Sequence, residues 1–357
     1  MFSILEVLLY LHITILNVMD KLVLFTESHL KTLLNKRTGE SKFGEHVKLI
    51  PQVIDIYEQL KDLDVDYVIF GIPEDIGVFA NYGKSGTSNC WQAALKILLN
   101  IQSNQFTKAN RVLILGFLNF EDYMQKLVGL SQSNKKDIIK ARKLVSKIDK
   151  HVSQLVYDIV KSGKKPIIIG GGHNNAYGNI KGTSLAFKKP INAVNFDAHT
   201  DFRKEEGRHS GNGFSYAYSE GFLGKYFMFG LHENYTSNQI FKILDSNANL
   251  EYNTYESIMI RKERKFKAEL KRALAHISSK PFGIEVDCDA IQNISSSAMT
   301  PSGFQVVKAR MFVDFFARET GASYLHICEA APTSENDSQI GKLISFLITD
   351  FIRAHGS

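Results

Sequence analysis

The sequence predicts an α/β fold, a single domain in which helices cover both faces of a parallel β-sheet. Short apolar segments rich in Val and Ile alternate with segments of helical period, which is typical of strands that are buried on both faces. The chain has 357 residues, 44% of them hydrophobic, so it can bury a large core, and α/β folds of this length are often one domain. The predicted strands are Tyr67 to Ile72, Arg111 to Gly116, Pro166 to Ile169, Ile191 to Phe196, Tyr226 to Leu231, Phe282 to Asp287 and Tyr324 to Cys328.

The clearest predicted helix lies between the second and third strands, from Asp137 to Lys161. The polar segment 131–134 supplies capping residues before this helix and is not a domain linker. No repeat or low-complexity tract interrupts the chain, so we expect one domain over residues 19–357. One apolar stripe defines the helix, formed by Ile138, Val145, Ile148, Val152, Leu155, Ile159 and Val160.

Residues 1–18 form a separate, strongly apolar segment. A signal peptide would have Lys or Arg before its apolar run and a cleavage site of small residues after it, and this segment has neither. Glu6 and His12 would be costly inside a membrane span. We therefore expect neither a signal peptide nor a membrane span in this segment.

Charge and cysteine content exclude several classes of protein. The net charge is +6, and the lysines are scattered along helices such as the one that contains residues 135–150, so a solvated helix face is favoured over a nucleic-acid patch. Cys90, Cys288 and Cys328 are too few and too irregularly spaced for a disulfide framework or a cysteine zinc site, and they are expected as small buried side chains. We expect a cytoplasmic protein that binds neither nucleic acid nor a membrane.

The most informative motif directly follows the strand that ends at Phe196. Asp197, His199 and Asp201 alternate along the sequence, and alternate residues of an extended strand end would point to one side. A carboxylate, imidazole, carboxylate series of this kind fits two divalent ions roughly 3.5 to 4 Å apart. The sequence therefore indicates a binuclear metal site at this strand end.

Two other strand ends supply further ligands. His173 follows a glycine turn after the third strand, and Asp287 and Asp289 end the sixth strand with the same period of two. Any one of these motifs alone would be read as strand-end caps or solvated loop residues, but together, at the carboxyl ends of parallel strands, they favour a metal centre. Carboxylate oxygens and imidazoles suit manganese, although zinc, cobalt and iron stay open.

The same motifs resemble those of the ureohydrolases, a family that includes arginase, agmatinase and formimidoylglutamase. The matching segments are GGGH at 170–173, DAHTD at 197–201 and EVDCD at 285–289. Three segments are most similar to formimidoylglutamase-type proteins: GGGHNNAYG at 170–178, RHSGNGFSYA at 208–217 and FGLHENY at 229–235. The segment GIPEDIGVFANYGKSGTSNCW at 71–91 also resembles the family's first strand-loop-helix unit, and the resemblance spans about residues 20 to 350. Met19, Asp20 and Lys21 begin a segment that resembles the start of formimidoylglutamase-like proteins, so we expect residues 1–18 to be an upstream extension of the reading frame, with Met19 as the natural start.

The resemblance implies an arginase-like three-layer fold, two Mn²⁺ ions per chain and a set of site residues. Asp201 would take a proton from the attacking water and relay it to the leaving amine. Glu329 would bind the amidinium or guanidinium of the substrate, and the alternative is a strand-end glutamate in solvent. One ion would be held by His173, Asp197, Asp201 and Asp287, and the other by His199, Asp197, Asp287 and Asp289, with Asp197 and Asp287 bridging.

Departures from the arginase pattern narrow the substrate. Glu285 replaces a serine, Phe214 stands near the place of a catalytic histidine, and Tyr235 stands where arginase has an aspartate that recognises the substrate's α-amino group. These differences argue against arginine as the substrate.

The loop after DAHTD carries groups suited to a substrate with carboxylates. Arg203, Arg208 and Asn212 are expected to bind the substrate, and His209 is expected to act as a proton shuttle. For the arginines, ordinary surface charge is the alternative.

The expected reaction is hydrolysis of N-formimino-L-glutamate to L-glutamate and formamide, a step of histidine catabolism with a small-molecule amidine as its substrate. One alternative is an agmatinase or another guanidino-acid hydrolase that releases urea. A second is a metal-binding family member without catalytic activity. Family members commonly form trimers or hexamers, so a homo-oligomer also stays open, although no stretch of the sequence marks an interface.

Overall fold

A computed structural model describes residues 20–355, in which one nine-stranded β-sheet forms the centre. The expected extension at residues 1–18 and the expected start at Met19 lie outside the described residues. The strands are β1 (Leu22–Leu24), β2 (Tyr67–Gly71), β3 (Val112–Leu118), β4 (Lys165–Ile169), β5 (Ile191–Phe196), β6 (Leu223–Leu231), β7 (Leu250–Thr254), β8 (Phe282–Asp287) and β9 (Ala322–Cys328).

The sheet has the strand order β1-β3-β2-β4-β9-β8-β5-β6-β7. All neighbouring strands run parallel except β1, which pairs antiparallel with β3. The expected parallel sheet is confirmed, and each of the expected strands overlaps an observed one. Sequence reasoning missed the two edge strands, because β1 has only three residues and β7 carries Glu251 and Asn253 in place of a continuous apolar run.

Helices cover both faces of the sheet, as expected. The α-helices in the described part of the chain are α1 (Glu27–Leu33), α2 (Ile56–Asp62), α3 (Ile76–Ala80), α4 (Cys90–Leu98), α5 (Glu121–Met124), α6 (Lys135–Lys161), α7 (Asn175–Phe187), α8 (Gly213–Ser219), α9 (Asn238–Asp245), α10 (Phe266–Ile277), α11 (Val306–Ala317) and α12 (Asp337–Ala354). Single turns of 3₁₀ helix lie at Phe43–Glu45, Thr87–Asn89, Ala109–Arg111, Gln125–Leu127, Ser210–Asn212 and Cys288–Ala290, and a π-helical turn lies at Glu256–Ile260.

The central strands are largely apolar because each face of the sheet has its own core. Ile167 and Ile169 of β4 belong to one core with α4, α10, α11 and α12, whereas Ile168 belongs to the other core with α2, α6, α7 and α8. Successive side chains of a strand point to opposite faces, so a strand between two helical layers needs apolar residues at nearly every position.

The long helix α6 matches the expected one and packs closely against α7. The side chain of Asn134 caps α6 by accepting a hydrogen bond from Lys136 N at 2.9 Å. On α7, a Cβ atom at Gly182 would lie 2.4 Å from the carbonyl oxygen of Ser153, so only glycine permits this approach of the two helices. The contact fixes α7, which begins directly after the turn that carries His173.

The topology brings the candidate residues to one edge of the sheet. Strands β4, β9, β8 and β5 are adjacent and parallel, so the segments that follow them meet beyond their carboxyl ends. Sites in such sheets lie at this edge. Within residues 20–355, no helix has the length and apolar character that a membrane span requires.

Candidate functional site

The turn that presents His173 is built from glycines and a buried glutamate. Gly170 and Gly171 have φ of 84° and 72°, a region in which other residues are strained. A Cβ atom at Gly171 would also lie 2.8 Å from the carbonyl oxygen of Ile72. Glu74 Oε1 accepts hydrogen bonds from Gly172 N at 3.2 Å and from Asn175 Nδ2 at 2.9 Å, which ties the turn to the end of β2.

His173 forms the centre of a first group of potential metal ligands. Its Nδ1 atom lies 3.2 Å from Asp197 Oδ2, 2.8 Å from Asp201 Oδ2 and 3.1 Å from Asp287 Oδ2. All four residues are buried, and their ligand atoms lie within 4.8 Å of one another. This spacing places them within reach of a single cation.

A second group shares Asp197 with the first. Asp197 Oδ1 lies 3.6 Å from His199 Nδ1, which in turn lies 3.3 Å from Asp289 Oδ2. Asp197 therefore offers one carboxylate oxygen to each group, as a bridging ligand would. Asp287 belongs to the first group, and its expected contact with a second ion stays a prediction.

The segment from Asp197 to Asp201 turns instead of extending β5, so our expectation that its residues line one side of a strand end is wrong. Strand β5 ends at Phe196, and Asp197 Oδ1 accepts a hydrogen bond from His199 N at 2.7 Å. Asp201 has a φ of 44°, in the left-handed region. The turn explains how Asp201 reaches the first group while His199 reaches the second.

The donor set fits divalent cations. Both ring nitrogens of His173 and Asp289 Oδ1 are buried without a hydrogen-bond partner in the described part of the chain. Burial, followed by the charge of Asp197, raises the pKa of Asp201 to about 6, and burial followed by Asp289 and Asp197 raises that of Asp287 well above its usual range. Carboxylates crowded in this way are stabilised by bound cations.

Glu329 directly follows β9, and only one of its two carboxylate oxygens accepts a hydrogen bond in the described part of the chain. Its Oε1 accepts a hydrogen bond from His173 N at 2.7 Å, and Oε2 is buried with no hydrogen-bond partner among the described residues. Burial raises the pKa of Glu329 to about 8. Like Asp201, Glu329 has a left-handed backbone, with φ of 60°. Such conformations cost of order 1–3 kcal/mol in non-glycine residues and cluster at functional sites.

A cavity of about 930 Å³ opens above these residues. Asp201, Asp287, Asp289 and Glu329 line it, together with Arg203. Such a volume accommodates a small amino-acid derivative. The carboxylates therefore lie at one end of a cleft that a small ligand can enter.

Of the four loop residues expected at the substrate, which are Arg203, Arg208, His209 and Asn212, Arg203 alone lines this cavity. Its side chain is 50% exposed, and its NH1 donates a hydrogen bond to Asn81 Oδ1 at 2.7 Å. Lys84 lines the same cavity. The cavity therefore combines the carboxylates at the sheet with Arg203 and Lys84, and Glu205 and Glu206 of the loop after β5 line it as well.

Arg208 has a structural position, which corrects the expectation that it binds the substrate. Its Nε donates to Asp149 Oδ2 at 2.9 Å, and its NH2 donates to the carbonyl oxygen of Asn174 at 2.8 Å. The guanidinium packs over the rings of Tyr177 and Tyr216, and the residue is 4% exposed. Its donors are thus occupied inside the protein.

His209 and Asn212 are also corrected, since neither lines the cavity. His209 is buried, its Nδ1 accepts a hydrogen bond from Gly211 N at 3.1 Å, and burial followed by the charges of Arg142 and Arg203 lowers its pKa to about 3. An imidazole that stays neutral and does not line the cavity does not suit a proton shuttle.

The side chain of Asn212 makes its hydrogen bonds within the loop. Its Oδ1 accepts hydrogen bonds from Arg208 NH1 at 2.6 Å and His209 N at 3.0 Å, and its Nδ2 donates to the carbonyl oxygens of Lys204 and Gly207. Asn212 therefore shapes the loop instead of contacting a substrate.

Two positions that the sequence marked only as departures contact the predicted metal ligands. Phe214 packs at 90° to the ring of His173, with ring centroids 5.1 Å apart. The ring of Tyr235 stacks on His199 at 5.2 Å and lines the cavity. Both aromatic rings restrict the orientation of a candidate ligand.

Sequence reasoning missed the role of Glu285. This residue is fully buried beside His173, and burial alone would raise its pKa, but His326 and His173 hold the pKa of Glu285 at about 2. His326 and Cys328 form a further group of potential donors with His173, so this group and the first compete for the same imidazole. The alternation of Glu285 with Asp287 was the available signal.

Comparisons with known proteins agree with this fold. The sequence model of the arginase family matches residues 65–352. The chain is 23% identical over 291 residues to formimidoylglutamase of Streptococcus pyogenes, a match that covers 79% of this chain and 82% of the relative. Formimidoylglutamase of Bacillus subtilis superposes with a TM-score of 0.69 and 16% identity, covering 91% of this chain and 96% of that chain. A structure of Trypanosoma cruzi formiminoglutamase with Mn²⁺ superposes with a TM-score of 0.65 and 18% identity, covering 84% and 98% of the two chains.

Proposed function

Since the chain belongs to the arginase family, whose members are metal-dependent hydrolases, we propose that it hydrolyses N-formimino-L-glutamate to L-glutamate and formamide. The observation that carries the proposal is the shared cavity of Glu329 and Arg203. One end offers a carboxylate to an amidinium, and the other end offers a guanidinium to a carboxylate. The relatives named formimidoylglutamase or formiminoglutamase support the same substrate, whereas another superposed structure is named a hypothetical agmatinase and represents the alternative.

We propose that the two ligand groups hold two divalent cations. His173, Asp197, Asp201 and Asp287 would hold the first, and Asp197, His199, Asp289 and Asp287 would hold the second. When bound, such ions supply an activated water and polarise the carbon-nitrogen centre that it attacks. The oxygen-rich donor set favours Mn²⁺, which is also the metal in the Trypanosoma cruzi structure.

At the amidine end, Glu329 would orient the reacting carbon. Its free Oε2 would accept a hydrogen bond from the amidinium, while Oε1 stays bound to His173 N. Such a contact holds the attacked atom beside the ligand groups, and correct placement of that atom lowers the barrier itself. Asp201, at the same end of the cavity, would take the proton of the attacking water and pass it to the leaving nitrogen.

At the carboxylate end, Arg203 would pair with a carboxylate of the substrate. Asn81 holds its guanidinium towards the cavity, and Lys84 adds a second cation for the second carboxylate. Glu205 and Glu206 also line the cavity, so a substrate with a free cationic tail, such as agmatine, stays the alternative that the substrate panel tests. We also propose that the enzyme acts in the cytoplasm on this small molecule.

A panel of substrates tests the proposal. Purified protein loaded with Mn²⁺ would be assayed on formiminoglutamate, agmatine, arginine and guanidinobutyrate. Fastest turnover of formiminoglutamate is the expected result. Release of urea from agmatine or guanidinobutyrate with no turnover of formiminoglutamate would favour the guanidino-hydrolase alternative, and no turnover of any substrate by protein with both ions bound would favour the non-catalytic one.

A further inference from the structure

Two adjacent strands build a buried polar cluster behind the candidate metal centre. In the register of β8 with β9, Gly283 lies opposite Tyr324 and Glu285 lies opposite His326. Residues opposite each other in a sheet share a face, so all four positions lie on the face of Tyr324, which belongs to the core with α2, α6, α7 and α8. A Cβ atom at Gly283 would lie 2.1 Å from Tyr324 Cζ, so glycine there leaves the space that the tyrosine ring fills.

Tyr324 and His326 together fix the carboxylate of Glu285. Tyr324 OH donates a hydrogen bond to Glu285 Oε1 at 2.7 Å, and His326 Nδ1 lies 2.5 Å from Glu285 Oε2. Glu285 is fully buried, and a buried carboxylate is stable only when such partners satisfy it. The cluster therefore holds one carboxylate in one orientation.

The carboxylate faces the edge of His173 that points away from the ligand groups. Nδ1 of His173 faces Asp197, Asp201 and Asp287, whereas Nε2 lies 3.4 Å from Glu285 Oε2. A histidine that binds a metal through one nitrogen generally donates its other N–H to a carboxylate or carbonyl, which fixes its tautomer and ring orientation. Nε2 makes no hydrogen bond among the described residues, and the Glu285 carboxylate, 3.4 Å away, is an acceptor within a small shift of it.

We propose that Glu285 is a positioning residue for the metal centre. It holds His173 with the proton on Nε2, so that the Nδ1 lone pair faces the aspartates, and it strengthens Nδ1 as a ligand. Tyr324 and His326 act through Glu285 by holding its carboxylate in place. The inference rests on the proposed function only in that the first ligand group binds a divalent cation, and it does not depend on the substrate.

Binding of Mn²⁺ to the Glu285→Gln variant tests the inference. The variant keeps the size of the side chain but loses its charge. Its amide has one acceptor oxygen, whereas Tyr324 and His326 contact two different oxygens of the Glu285 carboxylate. Loss of such an outer partner typically weakens metal affinity by about 10- to 100-fold. Isothermal titration of the full chain should show this loss at one of two Mn²⁺ sites, with a smaller change at the other. Glu285→Asp, which retains the charge, should recover part of the affinity.

Asp350 offers a matched control. It is a buried carboxylate of α12 that pairs with Arg310 of α11 at 2.7 Å. It belongs to neither ligand group. Asp350→Asn should bind both Mn²⁺ ions with wild-type affinity. Equal weakening in Asp350→Asn and Glu285→Gln would show a general loss of packing and would overturn the proposal.

A second variant keeps the test decisive if Glu285→Gln does not fold. Tyr324→Phe removes one hydrogen bond to Glu285 without touching His173, and it should weaken the same Mn²⁺ site several-fold. Wild-type affinity in both Tyr324→Phe and Glu285→Asp would refute the proposal. The two proposals fail separately: a wild-type chain that binds two Mn²⁺ ions but does not cleave formiminoglutamate refutes only the proposed substrate. A Glu285→Gln variant with wild-type Mn²⁺ affinity refutes only the positioning role.

Discussion

Replacing Arg208 with alanine separates a role in folding from a role in substrate binding. The sequence suggested binding, but the structure pairs Arg208 with Asp149 between α6 and the loop after β5, where both side chains are about 5% exposed. Removing the guanidinium leaves Asp149 as a buried charge without its partner, which costs about 3–5 kcal/mol. That loss is a large part of the 5–15 kcal/mol that stabilises a typical protein.

Denaturant unfolding at a fixed Mn²⁺ concentration measures this loss. Arg203→Ala is the matched control, because Arg203 lies in the same loop but is half exposed and its nearest carboxylate oxygen, on Glu206, is 3.7 Å away. An exposed pair of this kind contributes about 0–1 kcal/mol. We therefore expect Arg208→Ala to unfold at a much lower denaturant concentration than Arg203→Ala. The double variant Asp149→Leu with Arg208→Met should recover much of the loss, because it leaves no unpaired charge.

Two results would refute this reasoning. One is an Arg208→Ala variant that unfolds with the wild-type chain while its KM for formiminoglutamate rises, which would restore the substrate role. The other is a double variant no more stable than Arg208→Ala alone. If Arg208→Ala does not accumulate, Arg208→Lys, which keeps the charge but loses the two-pronged contact, serves instead and should show a smaller loss of stability.

Further variants probe the ligands, the substrate contacts and one buried carboxylate. Asp197→Ala should bind no more than one Mn²⁺ ion tightly and lose nearly all activity, since Asp197 belongs to both ligand groups; elemental analysis showing two tight ions would contradict this. Glu329→Gln should mainly lower kcat, because it misplaces the reacting carbon, whereas Arg203→Ala should mainly raise KM for formiminoglutamate. The rise in KM should be about tenfold to a hundredfold if the contact contributes about 1.5–3 kcal/mol. Steady-state kinetics on both variants would check the contrast, and an unchanged KM in Arg203→Ala would remove the reason for preferring this substrate. Burial raises the pKa of Asp158 to about 6 despite its contact with Gln154, so the folded state loses stability as the pH rises from about 4 to about 6. Asp158→Asn should therefore be more stable than the wild type above pH 6, by at most about 3 kcal/mol, and should match it near pH 4; a difference that does not vary with pH would exclude this cause.

The sequence alone predicts the sheet and the positions of the ligand candidates. Largely apolar segments mark the central strands, because a strand covered on both faces needs apolar residues at nearly every position. Parallel strands end at one edge, so the residues that follow β4, β5 and β8 had to meet there. The expectation that Asp197, His199 and Asp201 extend a strand was wrong, since residues 197–201 form a turn. Their side chains still meet the other ligand candidates at this edge of the sheet.

The loop after DAHTD shows where sequence reasoning ends. Whether an arginine faces a cavity or the interior depends on partners that are distant along the chain. Asp149, which pairs with Arg208, lies 59 residues before it, on a different element. The role of Glu285 likewise depends on which strand pairs with β8, and nothing near residue 285 in the sequence identifies that neighbour as β9.

The place of β9 in the sheet has a consequence for how the chain matures on the ribosome. Strands β1 to β4 form one half of the sheet and β5 to β8 form the other, and only β9 pairs with both β4 and β8. A nascent chain that ends before Ala322 therefore has two half-sheets with unpaired edges, and such edges invite association with other chains. His173 lies in the first half, and the aspartates that it faces lie in the second. The first ligand group is therefore complete only after β9 has joined the two halves of the sheet.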